Sequence, residues 1–175
     1  GKESLVAPLG VTINSSKSKE GKKEFDVLYI GSLDVLDDYA LLQDALKLSK
    51  QKIKVRAILR EKEWISQEEM SELYQKSKIV VALGRNEPLG LVPLEAMAQG
   101  VPVIAINEGG YKETVVHNKT GFLINRSSNN LIEKISLLLQ DDILREKLGK
   151  EARSHVQKHW SWDKRITHLE KLLQS

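Results

Sequence analysis

Two carboxylates eight positions apart, Glu87 and Glu95, flank a glycine in the stretch GRNEPLGLVPLEAMAQGVPVIA, residues 84–105. A carboxylate accepts hydrogen bonds from both hydroxyls of a vicinal pair, the pattern a ribose or a hexose presents. Gly90 between them lets backbone approach a ligand closely, and the free amides and dipole of a helix starting there favour an anion such as phosphate. One acid on a loop and the other in the first turns of a helix suit a sugar on each side of a diphosphate. A surface loop followed by an ordinary amphipathic helix would use the same residue types, so the neighbouring elements decide between the two.

Those elements alternate. FDVLYIG (25–31) is a short apolar run ending in Gly, and DDYALLQDALKLS after it has apolar residues at helical spacing, with Asp at its start suiting the helix dipole. IKVRAIL (53–59) is a second strand candidate, followed by a helix that Ser66 and Glu69 begin as a capping box. KIVVAL (78–83) and VPVIAI (101–106) are strands on either side of PLEAMAQG, a helix that Gly100 closes. TGFLI (120–124) is a fifth strand, and helical segments fill 129–140, 142–158 and 162–174. Strands alternating with helices predict an α/β, Rossmann-like, doubly wound parallel sheet, with ligands beyond the carboxyl ends of the strands. GRNEPLGL falls there.

The composition suits one compact domain. The chain has 175 residues, 41% hydrophobic and 29% charged, with no cysteine, which excludes disulfides and thiolate metal sites and fits a reducing compartment. No apolar run is long enough to span a bilayer, and the expectation is a soluble chain without a signal segment. The charge of +3 is mild, partly concentrated in KSKEGKKE (17–24), and no aromatic residues interleave with the lysines, so nucleic acid is not expected as a partner. The expected organisation is an N-terminal segment with a partial strand over 1–24, a Rossmann-like domain over 25–160 and a C-terminal helix over 161–175.

Glu87-x7-Glu95 within EPLGLVPLEAMAQGVPVIA, followed by GGYKETVVHNKTGFLI, closely resembles the donor-binding C-terminal half of retaining glycosyltransferases of the GT-B fold, in the large family called GT4. The resemblance implies that Glu87 contacts hydroxyls of the donor sugar as the catalytic residue of this half and that Glu95 holds the ribose. It also implies that amides around Leu89, Gly90 and Leu91 face the diphosphate and that the Gly109-Gly110 loop borders the nucleotide. The substrate implied is a nucleoside diphosphate sugar whose hexose passes to a saccharide or lipid-linked acceptor, as in cell-surface polysaccharide synthesis, with no cofactor and no metal. The implied partner is an N-terminal GT-B domain that is not in this chain, without which the fragment should not turn over. The implied location is the cytoplasm, with peripheral contact at the inner face of the membrane left open.

The resemblance also marks two departures. FDVLYIGSLDVLDDYALLQDAL aligns with a family segment reading Gly-Arg-Leu and then Glu-Lys-Gly, so Ser32 stands for the Arg and Asp37 for the Lys, the cations that neutralise the diphosphate. Arg85 and Lys112 are the candidate replacements. Between LQDALKLS and the capping-box helix, only KQKIKVRAILREKEWI (50–65) stands where the family has a further βα unit. The alternative from another class is a non-catalytic glycosyltransferase-like module.

Other residues read as structural. His155 and His159 share one helical face at zinc-ligand spacing but lack a third ligand, so packing or solvation is expected. His117 is a loop residue and His168 belongs to the last helix. Trp160 and Trp162 bracket a break where Ser161 is placed to cap the final helix, and an anchoring role is expected for them.

Overall fold

The computed structural model describes residues 9–13 and 22–174, with the side chains of 172–174 left aside. Residues 1–8 and 14–21 of the expected N-terminal segment therefore lie outside the described residues. The strands are β1 (Phe25–Gly31), β2 (Val55–Leu59), β3 (Ser77–Ala82), β4 (Val103–Ile106) and β5 (Gly121–Ile124). The helices are α1 (Tyr39–Lys47), α2 (Gln67–Gln75), α3 (Leu91–Ala98), α4 (Tyr111–Thr114), α5 (Ser128–Gln140), α6 (Asp142–His159) and α7 (Trp162–Gln174).

All strand pairs are parallel, in the order β2-β1-β3-β4-β5. Parallel sheets need both faces covered, and the apolar runs supply that: Val27, Leu28, Ile79, Val80, Val81 and the whole of β4 are fully buried. Helices α1 and α5 pack together, while α3 packs on α2 and α6, which fits a doubly wound sheet. β2 and β5 are the outer strands among the described residues, and the chain goes from β2 through 60–66 straight into α2.

The local signals read from the chain hold at several points. Ser66 Oγ accepts from the Glu69 amide at 3.2 Å while a Glu69 carboxylate oxygen accepts from the Ser66 amide at 3.0 Å, completing the capping box. Gly100 has φ +74° at the end of α3. Close by, Gly149 lies against the carbonyl of Gly100, so that α6 can pack tightly on α3.

Other local expectations are corrected. The acids expected to suit the dipole of α1 fall outside its first turn: Asp38 precedes the helix with φ 53°, and both Asp37 and Asp38 are drawn to other partners described below. The Ser161 hydroxyl, just before α7, donates back to Gln157 O at 3.2 Å. Trp160 is buried, with the Arg165 guanidinium 4.2 Å from its ring centroid, and its carbonyl accepts from Val11 N at 2.8 Å. Trp162 is exposed.

Candidate functional site

The order of the sheet changes direction between β1 and β3: from β1 the chain moves outward to β2, and from β3 it proceeds the other way to β4 and β5. Such a switch point opens a crevice beyond the carboxyl ends of the strands. A cleft lies there, bounded by Ile30 at the end of β1, by Ala82 to Gly84 at the end of β3, and by Glu87, Gly90 and Tyr111 above them.

Glu87 folds back on its own loop. Its Oε1 accepts from Gly90 N at 3.0 Å and lies 3.5 Å from Leu89 N, so the amides expected near a diphosphate meet this carboxylate first. Gly90, with φ +87°, precedes α3 and rests against Tyr111 and Thr114, where a Cβ would come within 2.9 Å of the Tyr111 ring. Leu91 opens α3 and is exposed.

The loop carrying Glu87 rests on the Gly109-Gly110 turn. Gly110 N donates to Glu87 O at 2.8 Å, and a Cβ on Gly110 would meet Leu89 Cα and Pro88 O at 2.5 Å. Gly109 has φ +51° and its Cβ would meet Glu87 O at 2.5 Å. The two glycines thus let one loop backbone sit directly on another, which fixes Glu87 relative to β4.

Glu95 stands in α3 with its carboxylate still accessible, and Oε2 accepts from the Tyr74 hydroxyl at 2.8 Å. Surrounding protein crowds the carboxyl enough that burial raises its pKa, and the Tyr74 bond offsets only part of this. Tyr74 itself is buried at 2% exposure, and burial followed by the Glu95 charge pushes its phenol well above the ordinary value. Tyr111 likewise has its phenol raised, by burial first and then by the Glu87 charge.

The loop where the resemblance leads one to expect two cations is bonded to itself. Ser32 Oγ donates to Asp37 Oδ2 at 2.5 Å, the Tyr29 hydroxyl donates to Asp37 O at 2.9 Å, and Arg85 N donates to Leu36 O at 2.6 Å. Asp38 occupies the place of the Gly in the family segment, and its φ of 53° explains why a glycine suits that position; aspartate is one of the few residues that tolerates it.

Arg126, just after β5, is the residue that sequence reasoning missed. Its Nε and Nη2 grip Glu108 at 3.2 and 2.7 Å, and Nη1 donates to Asp38 Oδ2 at 2.6 Å and to Leu83 O at 2.8 Å. Nη2 also reaches Gly84 O at 3.4 Å. Burial opposes the charged guanidinium, but the bonds to Glu108 and Asp38 outweigh it and raise its pKa, while the Arg126 bond holds Glu108 below the ordinary carboxylate range. Arg85 joins the same cluster through Asp38 Oδ2 at 3.0 Å. Lys112 is exposed on α4. A single basic residue so placed carries no motif, and only the fold brings its partners together.

The remaining histidines stay out of the cleft. His117 Nδ1 accepts from Leu123 N at 3.0 Å, and the His155 and His159 rings lie 4.9 Å apart on α6. Among the described residues, no group of His, Cys, Asp or Glu is placed to hold a metal ion, and no helix is long and apolar enough to cross a membrane.

Comparison with known proteins bears on the family and the fold. The sequence model of the family described as glycosyl transferases group 1 matches residues 60–155. A GDP-mannose-dependent alpha-(1-6)-phosphatidylinositol monomannoside mannosyltransferase of Mycobacterium tuberculosis is 46% identical over 78 residues, 44% of this chain and 20% of that protein. The chain is thus similar to only a fifth of that relative's length. Among solved structures, the C-terminal domain of a glycosyl transferase group 1 family protein from Francisella tularensis superimposes with a TM-score of 0.67 at 22% identity, over 82% of this chain and 90% of that one. Anabaena Alr3699/HepE in complex with UDP and glucose superimposes with a TM-score of 0.69 at 22% identity, over 86% of this chain and 48% of that one. At such identities these structures establish a shared fold.

Proposed function

The chain belongs to the glycosyl transferases group 1 family, and we propose that it is the half of such an enzyme that binds the nucleoside diphosphate sugar. The observation that carries this reading is the Glu87 carboxylate, held on the Leu89–Gly90 turn over a cleft at the switch point of a parallel sheet. In this reading Glu87 receives hydroxyls of the donor sugar. Glu95, oriented by Tyr74, receives the ribose hydroxyls. The α3 start and the Gly109-Gly110 turn border the diphosphate. Anabaena Alr3699/HepE, of the same fold, was solved with UDP and glucose, which supports a donor of this class.

The whole enzyme would transfer a hexose with retention at the anomeric carbon to a saccharide or lipid-linked acceptor, in cell-surface polysaccharide or glycolipid synthesis. The phosphatidylinositol mannoside named for the mycobacterial relative supports an acceptor at a membrane. The acceptor site belongs to an N-terminal domain outside this chain, so the fragment alone binds donor without turnover. The reading places the protein in the cytoplasm, peripheral to the membrane, and invokes no cofactor.

Calorimetric titration of the chain with UDP, GDP and ADP, beside Glu95→Ala, tests it. Saturable binding of one nucleotide, weakened about tenfold or more by the loss of a charged hydrogen-bond acceptor, is the expected result. Absence of binding in the wild type would overturn it.

The self-bonded Ser32–Asp37 pair favours a second reading, a binding module without catalysis. Ser32→Arg with Asp37→Lys separates the two. A donor site gains nucleotide affinity from these cations, whereas a module that works through another surface does not respond.

A further inference from the structure

The cleft has lost two expected cations and carries the acids Asp37 and Glu87 on its wall. A diphosphate placed between them needs a compensating positive charge, and three arginines lie near enough to be considered. Arg126 is already committed, with every guanidinium nitrogen bonded to Glu108, Asp38 or the carbonyls of Leu83 and Gly84. Arg85 is held by Asp38. Arg60 is different: it is exposed, it is one of the residues lining the cleft with Asp37, Glu87 and Tyr111, and among the described residues no ion pair or side-chain hydrogen bond engages it.

Its backbone is nevertheless fixed. Arg60 N donates to Gly31 O at 3.0 Å, continuing the β1–β2 ladder one residue past the last strand pair, Gly31 with Leu59. A long cation anchored at the carboxyl end of an outer strand, with a planar fork of unused donors, is suited to two phosphate oxygens. Because β2 leads into α2 through the short 60–66 connection, Arg60 occupies the cleft rim directly beside the loop that lacks Arg and Lys.

We infer that Arg60 is the residue that grips the donor diphosphate in this chain, in place of the cations absent at Ser32 and Asp37. The inference rests on the donor-site reading above. The cluster of Arg126, Asp38 and Arg85 then serves to hold the surrounding loops, and the ligand-facing charge comes from β2.

The test compares nucleoside diphosphate with monophosphate, UDP against UMP and GDP against GMP, by calorimetry on the 175-residue chain and its Arg60→Ala, Arg60→Lys and Arg85→Ala variants. The wild type should prefer the diphosphate. Arg60→Ala should lose about tenfold of that preference with monophosphate affinity nearly unchanged. Arg60→Lys should restore part of it, and Arg85→Ala should leave it intact. Because Arg60 is exposed and no side-chain bond engages it among the described residues, the two Arg60 variants retain the wild-type melting temperature. A wild type that binds no nucleotide overturns the donor-site reading itself. A wild type that discriminates, with Arg60→Ala discriminating equally or Arg85→Ala failing to, overturns the assignment of Arg60 alone.

Discussion

The Tyr74 hydroxyl donates to Glu95 Oε2 across 2.8 Å, so that a buried residue of α2 orients a carboxylate of α3 at the surface. Burial raises the Glu95 pKa, and the folded value therefore lies above the unfolded one. Below about pH 4 both states carry the proton and this group imposes no penalty. As pH climbs through the folded value, a crowded carboxyl must ionise and the relative stability present in acid is lost. Glu95→Gln cannot ionise and should melt above wild type at pH 7.5, with the gap closing at pH 4. Tyr74→Phe, which removes the bond that holds the value down, should melt lower at pH 7.5, by about 1 kcal/mol for a hydrogen bond to a solvent-accessible carboxylate. Thermal melts at the two pH values check both signs.

Gly110→Ala should fold but lose stability and donor binding together. Its φ is −67°, so alanine suits the backbone, and the cost comes from a methyl group forced against Leu89 Cα and Pro88 O. These are backbone atoms that cannot rotate away, and overpacking of this kind costs roughly 1–3 kcal/mol. The displaced atoms belong to the loop that carries Glu87. Urea unfolding should show a lower midpoint at unchanged slope, and calorimetry a weaker nucleotide affinity.

How far such relationships can be read from the chain depends on their range. Apolar runs closed by Gly, and the Ser66–Glu69 pair, act within a few residues, so the strands and the start of α2 are legible before any fold is known. Glu87, Gly90 and Glu95 are legible for a similar reason, since one short segment holds them all. Asp38 reads from the chain only as an acid suiting a helix dipole, while its carboxylate goes to Arg126, 88 positions away. Arg60 and Tyr111 are equally silent, since only the parallel pairing of β1 with β2 and β3 brings their loops to one rim.

Arg126→Ala should be the most destabilising substitution in the cleft region. It removes a guanidinium with 14% side-chain exposure, leaves Asp38 with the longer Arg85 bond and takes this donor from the Leu83 and Gly84 carbonyls. Orphaning a partly buried partner set costs roughly 2–4 kcal/mol, discounted for Glu108, which water reaches. The substitution also changes the acid limb of stability. Arg126 holds the Glu108 pKa below the ordinary value, so this contribution is present above the unfolded glutamate pKa and is lost as pH falls through the folded one. Denaturant titrations between pH 3 and 7 should show the wild type converging toward Arg126→Ala as the pH drops.

His155 gives a prediction with the same pH direction as Glu108, because burial makes its imidazole resist taking up a proton in the fold. Burial lowers its pKa first, and the His159 and Lys119 charges add to this. Its Nε2 is enclosed without a hydrogen-bond partner. The folded value lies below the unfolded one, near 6.5 for an ordinary histidine, so the contribution is intact above that pH and is lost as pH falls through the folded value. His155→Leu keeps the packing, leaves no polar nitrogen unpaired and has nothing to protonate. It should gain about 1 kcal/mol on wild type at pH 8 from the removed unsatisfied group, and more at pH 5. Melting curves at both pH values decide the point, since a zinc-binding histidine would instead make wild type the more stable partner when zinc is added, and only then.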